Sequence, residues 1–120
     1  MNFREYQELT RRTANRSDPE VVLNFALGLA GETGELLELI KKARFHRKPF
    51  RIDDAKKEAG DVLWYLAALI DALGFDMEDV AKTNIEKLRQ RYPNKFEFGG
   101  GNREPVPIAD PTPHPTGAEL

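Results

Sequence analysis

Glu58-Ala59-Gly60-Asp61-Val62-Leu63-Trp64-Tyr65-Leu66-Ala67-Ala68-Leu69-Ile70 sets two acids three residues apart and follows them with an apolar run that has no polar face. The run shows no alternation of apolar and polar residues and contains no breaker, so it reads as a helix and not as a strand. The pattern predicts a helix from a cap at Asp53 to Leu73, ended by Gly74 in the left-handed conformation that suits a helix C-terminus. A helix that is apolar all round has to be covered on every side. Three short neighbours in a chain of 120 residues supply little cover, so this helix is expected at or near the interface of a homo-oligomer.

Outward from it, breakers in the body fall at Asp18-Pro19, Pro49, Gly74 and Pro93, and the stretches between them carry helical spacing. A first helix is expected from about Phe3 to Ala14, with Phe3, Tyr6, Gln7, Leu9 and Thr10 on one face. A second opens with Asp18 as cap and Pro19 in its first turn and continues to about Phe45, with Leu23, Ala26, Leu27, Ala30, Leu37 and Ile40 at spacings of three and four. The fourth is expected from a cap at Asp76, with acids in its first turn, to the basic stretch Lys87, Arg89 and Arg91 before Pro93. The class is therefore all-α, a small four-helix bundle.

Residues 99–120 hold four of the nine glycines and five of the eight prolines, and read as a flexible, partly polyproline-like tail. The remaining domain, residues 1–98, has equal numbers of basic and acidic residues. A net charge of -2 argues against broad nucleic-acid or anionic-membrane binding. The absence of cysteine removes disulfides, thiolate metal sites and cysteine nucleophiles, and suits a reducing compartment. With no membrane-span or signal-peptide pattern in the sequence, a cytoplasmic protein is expected.

The second helix reads Gly28-Leu-Ala-Gly31-Glu32-Thr-Gly34-Glu35-Leu-Leu-Glu38. Its Glu32/Glu35 pair matches the Glu58/Asp61 pair of the third, and residues three apart share a helix face. Packed antiparallel, the two helices converge four carboxylates, which repel one another unless a cation neutralises them. An all-carboxylate set favours Mg2+ first and Mn2+ second. Isolated Glu-x-x-Glu pairs are more often solvated surface. Here the acids sit in or beside apolar stretches and are interleaved with Gly31, Gly34 and Gly60, which leave room for a close helix or a bound group. Glu38, one turn on, is an outer ligand, a proton acceptor or plain surface. A di-iron bundle would need Glu-x-x-His, and the histidines are His46, in a basic loop, and His114, in the tail.

Positive charge is gathered at Lys41, Lys42, Arg44, Arg47, Lys48 and Arg51, and again at Asn84, Lys87 and Arg91, whose spacing puts an amide and two cations on one helical face. Trp64 and Tyr65 lie in so apolar a helix that they read as core rather than as a stacking platform for a base.

Three ordered motifs, Gly31-Glu-Thr-Gly-Glu35, Glu58-Ala-Gly-Asp61-Val-Leu-Trp-Tyr-Leu and Asn84-Ile-Glu-Lys87-Leu-Arg-Gln-Arg91-Tyr-Pro93, resemble those of the MazG-like all-α nucleoside triphosphate pyrophosphohydrolases. The resemblance covers roughly residues 20–93. It implies a bundle that forms a homodimer, or a dimer of dimers, and that binds Mg2+ through Glu32, Glu35, Glu58 and Asp61. It also implies phosphate contacts from Lys87 and Arg91, a nucleotide contact from Asn84, and cleavage between the α- and β-phosphates to a monophosphate and pyrophosphate. Glu35 or Glu38 is then the expected general base. This chain is a single short unit, without the tandem repeat of longer members. The competing expectation is a non-catalytic oligomer or adaptor with a structural metal site and a Pro-rich partner-binding tail.

Overall fold

The computed structural model describes residues 1–99, so residues 100–120, nearly all of the expected tail, lie outside the described residues. Four helices follow in order: α1 (Phe3–Thr10), α2 (Val21–Phe45), α3 (Ile52–Ala72) and α4 (Met77–Arg91). No strand occurs among the described residues, and the class is an all-α bundle. Chain contacts divide it into two units, 1–84 and 85–120, with the boundary inside α4.

The helix ends show how local chemistry sets the limits. A capping box starts α1: the Asn2 side chain accepts from Glu5 N at 2.8 Å, and the Glu5 carboxylate accepts from Asn2 N at 2.9 Å. The helix stops at Thr10, four residues short of the expected Ala14. The Thr10 hydroxyl donates back to Gln7 O at 2.8 Å and the Thr13 hydroxyl to Thr10 O at 3.2 Å, so two hydroxyls compete for the carbonyls that would carry the helix on. The start of α2 is corrected in the same way. Asp18 accepts from Glu20 N at 2.8 Å as a turn, and the helix begins at Val21, with Pro19 outside it.

Likewise α3 begins at Ile52, one residue before the expected cap, so that Asp53 and Asp54 occupy its first turn and favour the positive end of the helix dipole. Its other end agrees with the sequence. Gly74 has φ +81°, Gly74 N donates to Asp71 O and Phe75 N to Ile70 O, both at 3.0 Å, which is a Schellman ending. Asp76 caps α4 by accepting from Glu78 N at 2.8 Å and Asp79 N at 3.2 Å.

In the first unit α2 and α3 form an antiparallel hairpin closed by residues 46–51. Phe25 meets Trp64 and Tyr65 edge to face at 5.9 and 6.4 Å between ring centres. A small apolar centre of Ala67, Ile70 and Met77 lies under α1, with Tyr6 and Leu63 packed against it. Of the face expected of α1, Tyr6, Gln7 and Thr10 turn inward, Gln7 and Thr10 being buried, while Phe3 and Leu9 are exposed.

Polar contacts hold α1 in place. Gln7 Nε2 donates to Asp71 Oδ1 at 3.0 Å and to Phe75 O at 2.9 Å, while Gln7 Oε1 accepts from Met77 N at 2.7 Å. The side chain of Asp71, 7% exposed, also takes Arg11 at 2.6 Å and Arg16 at 3.2 Å, and Arg4 pairs with Asp76 at 2.9 Å. Trp64 Nε1 donates to Thr13 Oγ1 at 2.9 Å.

In the second unit the end of α4 is followed by an aromatic chain, Tyr92 to Phe96 at 5.6 Å and Phe96 to Phe98 at 5.2 Å. No helix of the described residues is long and apolar enough to cross a membrane.

Candidate active site

Antiparallel pairing of α2 with α3 decides which acids meet. Moving along α2 from Phe25 to Gly28 and Glu32, the facing residues on α3 run backwards from Trp64 and Tyr65 to Asp61 and Glu58. Glu32, Glu58 and Asp61 each bring one carboxylate oxygen into a group whose members all lie within 4.8 Å of one another, the one such group among the described residues. Glu32 and Glu58 are half-buried and Asp61 is exposed.

The electrostatics follow from that crowding. Partial desolvation, and then the charges of Glu35, Asp61 and Glu58, push the Glu32 carboxyl above its ordinary value. Three carboxylates this close gain most from a cation that offsets their mutual repulsion. A donor set made only of carboxylate oxygens fits a hard divalent ion, so these residues suit such a group. The field reaches α1 as well: burial, and then the charge of Asp61, raise the Tyr6 phenol.

The other sequence-derived residues are placed as follows. Glu35 is exposed and outside the three-membered group, although its charge is felt at Glu32. Glu38 is paired with Lys41 at 3.5 Å and Lys42 at 3.9 Å. Asn84 ends the first unit and Lys87 and Arg91 lie in the second, all three on α4. Trp64 and Tyr65 stand in the aromatic cluster with Phe25.

The glycine reading needs one correction. A Cβ at Gly31, Gly34 or Gly60 would meet nothing within 4 Å, so these three do not mark a close helix contact among the described residues. The close approach is at Gly28, where a Cβ would fall 2.1 Å from the Tyr65 ring. Only a pairing of Gly28 with an aromatic on the opposite helix could have signalled this from the sequence.

A profile of the MazG nucleotide pyrophosphohydrolase domain matches residues 22–96, which includes both acid pairs and the whole of α4. The chain belongs to this family. The MazG match accords with the all-α class and with a nucleotide pyrophosphohydrolase as the general activity. Gene 37 protein of Mycobacterium phage L5 is 32% identical over 80 residues, covering 63% of this MazG chain and 70% of the phage protein. No solved structure matches.

A separate cleft of about 430 Å³ lies where α1 meets the end of α3, lined by Arg4, Arg11, Arg16, Asp71 and Asp76 among others. Its three arginines pair with Asp71 and Asp76, and Glu8 in the same lining brings the acids to three, so the cleft offers no net positive charge to a nucleotide.

Acidification should weaken divalent binding at the MazG acids in a particular window. Glu32 is raised, so in the metal-free protein its charge opposes folding. The associated stability is present below the ordinary Glu pKa and lost as pH rises through the raised value. A bound cation reverses this by favouring the charged form. Any rise in melting temperature on adding a divalent ion should therefore be full near pH 7.5. It should fade on acidification before the ordinary Glu range of about 4.3 is reached. A rise that persists unchanged down to that range would contradict the shifted Glu32.

Proposed function

We propose that the protein is a Mg2+-dependent nucleoside triphosphate pyrophosphohydrolase, acting in nucleotide pool sanitation or control, with Mn2+ as an alternative ion. The observation that carries this reading is the meeting of Glu32, Glu58 and Asp61 within 4.8 Å in a chain of the MazG family. Glu32, Glu58 and Asp61 would hold the ion, with Glu35 as a further ligand beside them. When bound, the ion supplies charge withdrawal from phosphate oxygens and acidifies the attacking water.

The remaining chemistry falls to side chains. A carboxylate accepts the proton of the water that attacks the α-phosphorus in line with the leaving pyrophosphate. Of the two candidates, Glu35 makes no ion pair among the described residues, whereas Glu38 is engaged by two lysines; Glu35 is the better base. Lys87 and Arg91 are assigned to phosphate oxygens, where cations offset the charge developing on the leaving group, and Asn84 to the nucleotide. Incubation with a panel of ribo- and deoxyribonucleoside triphosphates should give a monophosphate and pyrophosphate. A diphosphate and orthophosphate would refute the assignment.

A homo-oligomer, a homodimer or homotetramer, is part of the same proposal. It is supported by the apolar side chains left open along α2: Leu23, Leu27, Leu37 and Ile40 are each more than half exposed. A monomeric mass by light scattering at working concentration would remove it. A cytoplasmic location, with nucleotides and not nucleic acid as partners, completes the reading.

A further inference from the structure

We propose that the contact of Tyr65 with Gly28 is the positioning element of the acidic site, holding α2 against α3 so that Glu32 meets Glu58 and Asp61; this rests on the metal reading above. A Cβ at Gly28 would lie 2.1 Å from Tyr65 Cε1, 2.5 Å from Cδ1 and 2.6 Å from Cζ, so the edge of the ring fills the space a side chain would need. A Cβ at any other glycine of α2 or α3 would meet nothing within 4 Å. Tyr65 is also fenced by Trp64 at 4.9 Å and Phe25 at 6.4 Å, both edge to face, which limits its escape by rotation. The notch is therefore a fixed point of the hairpin.

Its place along the helices gives it a bearing on the acids. Gly28 is one turn before Glu32 on α2, and Tyr65 is one turn after Asp61 on α3. In an antiparallel pair the notch and the carboxylate group are thus adjacent levels of one seam, about 6 Å apart along the axis. A helix displaced at the notch is displaced at Glu32. Mg2+ demands oxygens at about 2.0–2.1 Å in a near-octahedral arrangement, so a shift of this kind costs affinity steeply. The glycine is not there for helix formation, since alanine is favoured over it by about 1 kcal/mol in a helix interior.

Gly28→Ala should therefore keep or raise helix content by circular dichroism and yet bind Mn2+ at least about 10-fold more weakly by electron paramagnetic resonance titration, a loss of the size seen when a ligand's support is removed. The Mg2+ concentration for half-maximal hydrolysis should rise in parallel, with kcat at saturating Mg2+ nearly unchanged. Tyr65→Phe, which keeps the ring, should bind Mn2+ as the wild type does. If Gly28→Ala does not fold, Tyr65→Ala decides: the emptied notch should cost severalfold in Mn2+ affinity relative to Tyr65→Phe. Equal Mn2+ affinity for wild type and Gly28→Ala, or for the two Tyr65 variants, overturns the inference while leaving the metal reading intact. A wild type that takes up no Mn2+ overturns the metal reading, and the inference falls with it.

Discussion

Asp61→Asn should reduce turnover by well over 100-fold while leaving helix content unchanged. The two side chains have nearly the same shape, so packing is preserved, but the amide presents one neutral acceptor where an anionic oxygen stood in the group with Glu32 and Glu58. Loss of a partner that merely supports a ligand costs about 10–100-fold, and loss of the ligand itself should exceed that. Asp61 is also the exposed member, so its replacement disturbs no buried contact. A second consequence separates a ligand from a bystander. With one negative charge gone, the Glu32 carboxyl should move back toward its ordinary range, because Asp61 is one of the charges raising it. Carboxyl titration by NMR reads that movement directly. Full activity in Asp61→Asn would remove this residue from the site.

Both the fold and the pairing of acids in the candidate site are legible in the sequence where a local rule suffices. Gly74 and Asp76 act within a few residues of their own position, and there the expected left-handed ending and the expected cap both occur. The acid pairs are legible as pairs because spacing on a helix fixes which residues share a face. Which members meet depends on how far each helix is rotated about its axis, and this is set by packing elsewhere on the seam. Glu35, three residues from Glu32, stays outside the three-membered group although its charge reaches Glu32, and the contacts that fix the seam beside it, Phe25 with Trp64 and Gly28 with Tyr65, lie on different helices.

Competition at hydroxyls and carboxylates is also hard to read in advance. Thr10 and Thr13 shorten α1 with bonds that a helical alternative would also have to satisfy, and Asp18 forms a turn where its identity equally suits a cap. The role of Gln7 was hidden further still. Its side chain is 3% exposed, and the partners that justify burying an amide come from residues 71, 75 and 77, more than sixty positions away.

That burial makes Gln7→Leu the substitution with the largest expected effect on stability. Leucine has a similar size but offers nothing to Met77 N or Phe75 O, and it removes one of the donors to Asp71. A buried group left without its partner costs about 1–3 kcal/mol. Even partial rescue by water leaves a loss of roughly 3 kcal/mol across the three bonds, on the same scale. At about 4–8 °C per kcal/mol for a domain of this size, the melting temperature should fall by more than about 10 °C. The acid side of the stability profile should change as well. Burial alone would raise Asp71, but the hydrogen bonds from Arg11 and Gln7, with the charges of Arg11 and Arg16, outweigh it and leave the carboxyl below its usual value. A lowered acid contributes stability that is present above its unfolded pKa of about 3.9 and lost as pH falls through the folded value. Without Gln7 the folded value rises, so the wild type should show the steeper loss of stability between about pH 4 and pH 2, and the variant a shallower one from a lower plateau. Thermal melts across that range distinguish this from a simple packing defect, which would lower the curve without changing its slope. A variant that melts within 2 °C of the wild type at neutral pH would show that water replaces Gln7 at no cost, and the polar tie between α1 and the start of α4 would then carry little of the fold.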